Sequence, residues 1–234
     1  MSSGLPLGPL EDEVERKNAS MIGPAHVSQR ELLDVCALKL GPAGVDGVSR
    51  VLVFVNSLES ASADHPSVAA YLSHPLRVAT ITLSLQTAPN LEAAQIALLH
   101  NVFEVCGLDE LSLREAGYSD RVGAAVRSLT IDRDQESDPE YLTLFYDAIE
   151  RFGDPLPLIR VADKLDNLLG LAVLAEGPVR DSYIDLADQF VAPIAHRLDP
   201  SLGGYFDAVV AHARNTGCRP ELKRRYQQMM AASS

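Results

Sequence analysis

Helix start and stop signals recur along this chain from Ser28 onward, with no series of regularly spaced, turn-bounded strand patterns between them. That punctuation points to an all-α fold. Ser28-Gln-Arg-Glu31 has the spacing of a capping box, Leu32, Leu33, Cys36 and Leu40 follow on one helical face, and Gly41-Pro42 stops it. The stripe Val48, Val51, Leu52, Val55 and Leu58 predicts a second helix over 48–63, its β-branched residues leaving a strand as the alternative. Pro75 suits the first turn of a helix reaching about Gln86, and Asn90 can cap another through Ala94-Gln-Ile-Ala-Leu-Leu-His100. Further helices are predicted over 119–129, 138–153 and 155–178, with two or three more before the Ala-Ser tail. No fixed-period repeat interrupts the series, so one helical domain is expected over 26–215. An N-terminal arm or peripheral helix over 1–25 precedes it, and a C-terminal helix and tail over 216–234 follows. The acidic run Glu11-Asp-Glu-Val-Glu in the arm reads as a solvated face with no chemistry.

Composition narrows the function classes. At 234 residues and 47% hydrophobic, the chain can bury a sizeable core. Its formal net charge of -12 repels phosphate backbones and anionic lipid, which argues against nucleic-acid and membrane partners. Cys36, Cys106 and Cys218 are too few and too widely spaced for a disulfide framework, so a reducing compartment is expected. The N-terminus lacks a secretory signal pattern and no apolar run is long enough to span a bilayer, so the expected location is cytoplasmic.

The residues able to carry chemistry lie in three places. They are His74 in Ser73-His-Pro-Leu, His100-Asn101 with Glu104, and Asp163 with Asn167. If 94–104 is one helix, His100, Asn101 and Glu104 share a face and form a polar wall in an apolar setting of Ile96, Leu98, Leu99, Val102 and Phe103. Polar groups lodged there need partners or an ion, and His74 and Asp163 could supply them. A single histidine in such a helix is more often a hydrogen-bonded core residue than a ligand. Two imidazoles and a carboxylate together suit a divalent transition metal, which can activate water or hold a phosphate oxygen. By the same pattern Asp166, between Asp163 and Asn167, is expected to point elsewhere.

The ordered motifs His74-Pro-Leu-x-Val-Ala, Ala97-Leu-Leu-His100-Asn101-x-x-Glu104 and Val161-Ala-Asp163-Lys-Leu-x-Asn167 resemble the HD-domain metal-dependent phosphohydrolases. The branch they most resemble is the guanosine tetraphosphate (alarmone) hydrolases. The resemblance spans roughly residues 45–175 and implies a single all-helical HD-like bundle. It further implies a divalent metal, manganese in that family, held by His74, His100, Asn101 and Asp163. The family's signature aspartate stands here as Asn101, a neutral amide that lowers the expected metal affinity. Where the family has an acidic pair, this chain has Glu104 followed by Val105. Glu104 is then a candidate to orient or deprotonate water, with a salt bridge as its alternative role.

The family's basic stretch before the first motif corresponds to Ser62–Tyr71, which contains no Arg or Lys and disfavours a polyanionic tetraphosphate. Arg160 and Lys164 are candidates to hold phosphate, and Asn167 matches the position that contacts the nucleotide sugar. Arg77 is a further candidate to hold phosphate; the alternative for all three cations is a place on the helix surface, which is the favoured reading for Arg77, and His26, His65, His196 and His212 fall outside the motifs. The expected activity is hydrolysis of a nucleotide or related phosphate ester. The competing reading is a catalytically impaired HD scaffold that binds or senses a nucleotide.

Overall fold

The computed structural model describes residues 5–23, 25–59, 72–171, 177–217 and 219–232; among them every regular element is helical and no strand is present. Helix α1 spans Leu10–Ile22, and α2 spans Ala25–Asn56 in two segments broken at Gly41. Gly41 has φ 70° and ψ −169°, a conformation open to glycine and closed to most side chains, and Pro42 then starts the second segment. The expected stop is therefore a kink. The expected capping box is not one, because Ser28 lies a turn inside the helix and is buried. Val48, Val51, Leu52 and Val55 form the buried stripe of the second segment, which resolves the strand alternative in favour of helix. The helix ends at Asn56, short of the predicted span, and 57–59 are non-helical; residues 60–63 of that span, and the segment carrying His65, lie outside the described residues.

Helix α3 is Ser73–Leu85, with Pro75 in its first turn, and α4 is Leu91–Leu99, where Asn90 Oδ1 accepts from the Ala93 backbone N–H at 2.9 Å. The expected continuous helix through Glu104 does not form. His100 closes α4, Asn101 adopts φ −113° and ψ 5°, and Val102 opens the short α5, Val102–Cys106. Then come α6 (Glu110–Glu115), α7 (Asp120–Leu129, capped by Ser119), a 3-10 turn at Arg133–Gln135, and α8 (Pro139–Phe152, capped by Asp138). Helix α9, Leu156–Leu169, ends at Gly170, well short of the predicted 178. Gly177 instead begins α10 (Gly177–Leu186), which runs through a π-helical turn at Ala187–Val191 into α11 (Ala192–Leu198). Two more helices, α12 (Pro200–Asn215) and α13 (Pro220–Ala232), follow.

The core is organised around α3 and α9, which pack on each other. Helix α3 also meets α2 and α4, and α9 also meets α1, α8, α11 and α12. Nearly every residue of α9 from Leu156 to Leu169 is buried, Arg160, Asp163 and Asp166 among them, so its charged groups must find partners inside the protein. Helix α1 turns Val14 and Met21 inward together with Glu13 and Lys17. It lies so close to the end of α9 that a Cβ on Gly170 would sit 2.7 Å from Lys17 Cε and 3.0 Å from Met21 Sδ. Among the described residues no helix is long and apolar enough to cross a membrane.

Candidate metal centre

The start of α3, the end of α4 and the middle of α9 bring His74, His100 and Asp163 together. One ligand atom from each lies within 4.8 Å of the other two. His74 Nε2 is 3.2 Å from His100 Nε2 and 3.3 Å from Asp163 Oδ1, and His100 Nε2 is 3.8 Å from the same oxygen. The other nitrogen of each ring faces outward onto an acceptor. His100 Nδ1 is 2.7 Å from the Ala97 carbonyl, and His74 Nδ1 is 2.8 Å from Asp166 Oδ2. Carbonyls and carboxylates only accept, so each Nδ1 carries a proton. In their neutral forms both rings then turn an Nε2 lone pair toward Asp163 Oδ1. Three electron-rich atoms facing one another call for a cation between them, either a proton or a metal.

Asp163 is held by its own helix and the neighbouring turn. Its Oδ2 accepts from Arg160 Nη1 at 2.8 Å and lies 3.8 Å from Lys164 Nζ, while Oδ1 accepts from Asn167 Nδ2 at 2.9 Å. Burial opposes its charge, but Lys164, the His74 hydrogen bond and Arg160 outweigh it and hold the carboxyl well below the usual range. Arg160 is fixed in turn by the Leu129 carbonyl at 3.1 Å and by the Phe145 ring, 4.8 Å away. Lys164 Nζ donates to the Tyr183 hydroxyl at 3.0 Å, and burial lowers its ammonium to about 8 against the pull of Asp163.

Three residues sit otherwise than the sequence suggested. Arg77 is 4% exposed, not a surface cation; its Nε donates to Asp166 Oδ1 at 2.6 Å and its Nη2 to Glu13 Oε2 at 3.4 Å. Asp166 does not point away from the site. It is fully buried and also accepts from Lys17 Nζ, a 2% exposed group on the helix expected to carry no chemistry. Helical spacing could have revealed Asp166, since residues three apart share a face. Lys17 stands between Val14 and Met21 at core spacing, which could have flagged it too.

Asn101 and Glu104 line a cavity of about 500 Å³ with Arg133, Glu136, Tyr146, Arg160, Asp163, Lys164, Asn167 and Tyr183. Because the chain breaks at Asn101, His100 and Glu104 stand on two separate helices. Glu104 Oε2 accepts from Arg133 Nη2 at 2.7 Å at the rim. Of the remaining histidines, His196 pairs with Asp207 at 2.9 Å and His212 lies 3.2 Å from the Thr216 hydroxyl, both remote from the cluster in sequence and contacts.

Burial and the nearby His74 hold His100 down to about 4 against the pull of Asp163. Unfolding restores its ordinary value near 6.5, so between those values the unfolded chain binds the proton and the native protein does not. Stability from this group is complete above 6.5 and is lost as pH falls toward 4. His74 runs the other way. Burial lowers it, but its hydrogen bonds to the Asp163 and Asp166 carboxylates raise it further, so its contribution is complete below 6.5 and fades as pH rises through the folded value. Urea midpoints of the ion-free protein are therefore expected to fall from pH 6.5 to pH 4.5, and a His100→Leu variant should show a flatter acid limb. An equally steep limb in that variant would remove His100 as the cause.

No protein-family model matches the chain, and no curated protein matches it. Among solved structures it is similar to a metazoan ortholog of SpoT that hydrolyzes ppGpp and plays a role in starvation responses. The two share 20% identity over 82% of this chain and 95% of that chain, with a TM-score of 0.48.

Proposed function

We propose that the protein is a metal-dependent phosphohydrolase of the HD type, acting on a nucleotide or a related phosphate ester. The observation that carries this reading is the meeting of His74 Nε2, His100 Nε2 and Asp163 Oδ1, with both Nδ1 protons directed outward. Two neutral imidazoles and one carboxylate suit a divalent transition ion such as manganese better than magnesium or calcium, which favour all-oxygen shells. Asn101, on the cavity wall next to His100, offers a neutral oxygen as a further ligand. A divalent ion held there supplies Lewis acidity and a water nucleophilic at neutral pH.

The protein's own groups fill the remaining roles. Glu104, held by Arg133, takes the proton of the attacking water as the water oxygen bonds to phosphorus; the ester P–O bond breaks with its electron pair on the leaving oxygen, which takes a proton from solvent and departs as the alcohol. Lys164 and Arg160 offset phosphate charge, and Asn167 stands where it can meet the organic part of the substrate. The described cavity wall carries three cations, Arg133, Arg160 and Lys164, against three acids, Glu104, Glu136 and Asp163. The undescribed segments 60–71 and 172–176 contain no Lys or Arg. A wall so balanced favours an ester with one phosphate group over a tetraphosphate.

Asn101 favours a second reading, in which the scaffold binds a nucleotide without turnover. The two are separated by elemental analysis of manganese-reconstituted protein, followed by phosphate release on a nucleotide panel. Hydrolysis predicts stoichiometric metal and chelator-sensitive release. Asn101→Asp is expected to tighten metal binding about tenfold or more, equivalent to ~1.4 kcal/mol, by restoring an anionic ligand. Metal-free protein that binds nucleotide in the presence of chelator would reject hydrolysis in favour of the second reading.

A further inference from the structure

We infer that Asp166, clamped by Lys17 and Arg77, is a positioning residue that fixes the ring and tautomer of His74 so that Nε2 faces the ion. The inference rests on the reading of His74, His100 and Asp163 as a cation site, and it concerns a carboxylate that makes no contact with His100.

Asp163 and Asp166 are three residues apart on α9 and bracket one imidazole. The first lies 3.3 Å from Nε2 and the second 2.8 Å from Nδ1. An unclamped aspartate in this place could rotate, or share its proton-accepting edge with either ring nitrogen. Asp166 has no such freedom: Arg77 Nε holds Oδ1 at 2.6 Å, Lys17 Nζ bonds to Oδ2, and the carboxylate is fully buried. Arg77 is itself tied to Glu13 at 3.4 Å, and Glu13 accepts from Arg16 at 2.7 Å, so the clamp is anchored on α1. The two cations do two things. They keep Asp166 an acceptor only, which forces the His74 proton onto Nδ1. They also offset its charge, so a second full negative charge is not added beside Asp163.

His100 serves as the internal reference, because its Nδ1 is held by the Ala97 carbonyl at 2.7 Å and owes nothing to Asp166. Outer-shell partners of ligating histidines typically change metal affinity by about 10- to 100-fold when lost. Arg77 and Asp166 lie 89 residues apart and Lys17 and Asp166 lie 149 apart, so both cations reach the site from helices distant from Asp166 in sequence.

The test uses the full-length protein, zinc as a diamagnetic probe ion, and histidine nitrogen NMR. In the wild type, His74 and His100 should both show a protonated Nδ1 and zinc on Nε2. In Asp166→Asn the amide can present either its oxygen or its NH2 to the ring. Zinc affinity should then fall about 10- to 100-fold, with His74 showing mixed tautomers and His100 unchanged. Wild-type affinity and an unaltered His74 tautomer in Asp166→Asn overturn the inference while leaving the metal-site reading intact. Wild-type protein that binds no zinc sinks the metal-site reading instead. If Asp166→Asn does not fold, the ion-free wild type decides alone at a pH where His74 is neutral: a proton on His74 Nε2 rather than Nδ1 overturns the inference.

Discussion

Replacing His100 or Asp163 is expected to abolish both stoichiometric metal and chelator-sensitive phosphate release, with turnover falling on the order of 10³-fold or more. Among the described residues each supplies one of three convergent ligand atoms, so losing one would leave an ion two of them plus whatever Asn101 contributes. The choice of substitution decides what is learned. Asp163→Ala also takes the carboxylate from buried Arg160 and from half-buried Lys164, and so mixes a folding cost into the result. Asp163→Asn keeps the shape and removes the charge, and His100→Gln retains an Nε2-like polar end without an imidazole lone pair. Circular dichroism controls for folding, and phosphate release with metal content reads the function. Either variant retaining wild-type turnover with its metal would end the hydrolase proposal.

The second large effect is on stability. Asp166→Ala is expected to destabilise the protein by about 3–5 kcal/mol, because Lys17, Arg77 and the His74 Nδ1 proton lose their shared acceptor in a dry interior. Most of that loss is the cost of stranding Lys17 and of leaving Arg77 with only its 3.4 Å contact to Glu13. A triple variant with Asp166→Leu, Lys17→Met and Arg77→Met should therefore recover much of the stability while failing to restore zinc affinity. Urea unfolding monitored by circular dichroism measures the first, and zinc titration the second. A triple variant no more stable than Asp166→Ala would mean that lost packing, not stranded charge, accounts for the penalty.

The helical course of the chain was legible wherever local chemistry decides it. Asn90, Ser119 and Asp138 cap helices as their types and positions suggest, and the Val48–Val55 stripe is buried. Three short motifs also pointed to His74, His100 and Asp163, which the fold does bring together. What escaped was set by tertiary packing. The run Ala94–Cys106 has no breaker residue at its middle, yet the chain turns at His100-Asn101, so His100 meets α3 and α9 while Glu104 faces the cavity. Arg77 looks like a solvated cation because its partner is 89 residues away in sequence, and for Lys17 the core spacing between Val14 and Met21 is the one local trace of a pairing that spans 149 residues.

The contact between Lys17 and Asp166 closes a loop of most of the chain, and such long-range closure is entropically costly until the intervening helices have packed. A half-assembled polypeptide therefore offers its histidines in no particular arrangement and has little hold on an ion. Free-energy linkage then works in one direction: a cofactor recognised only by the completed molecule deepens that basin alone, so melting temperature should climb with its free concentration.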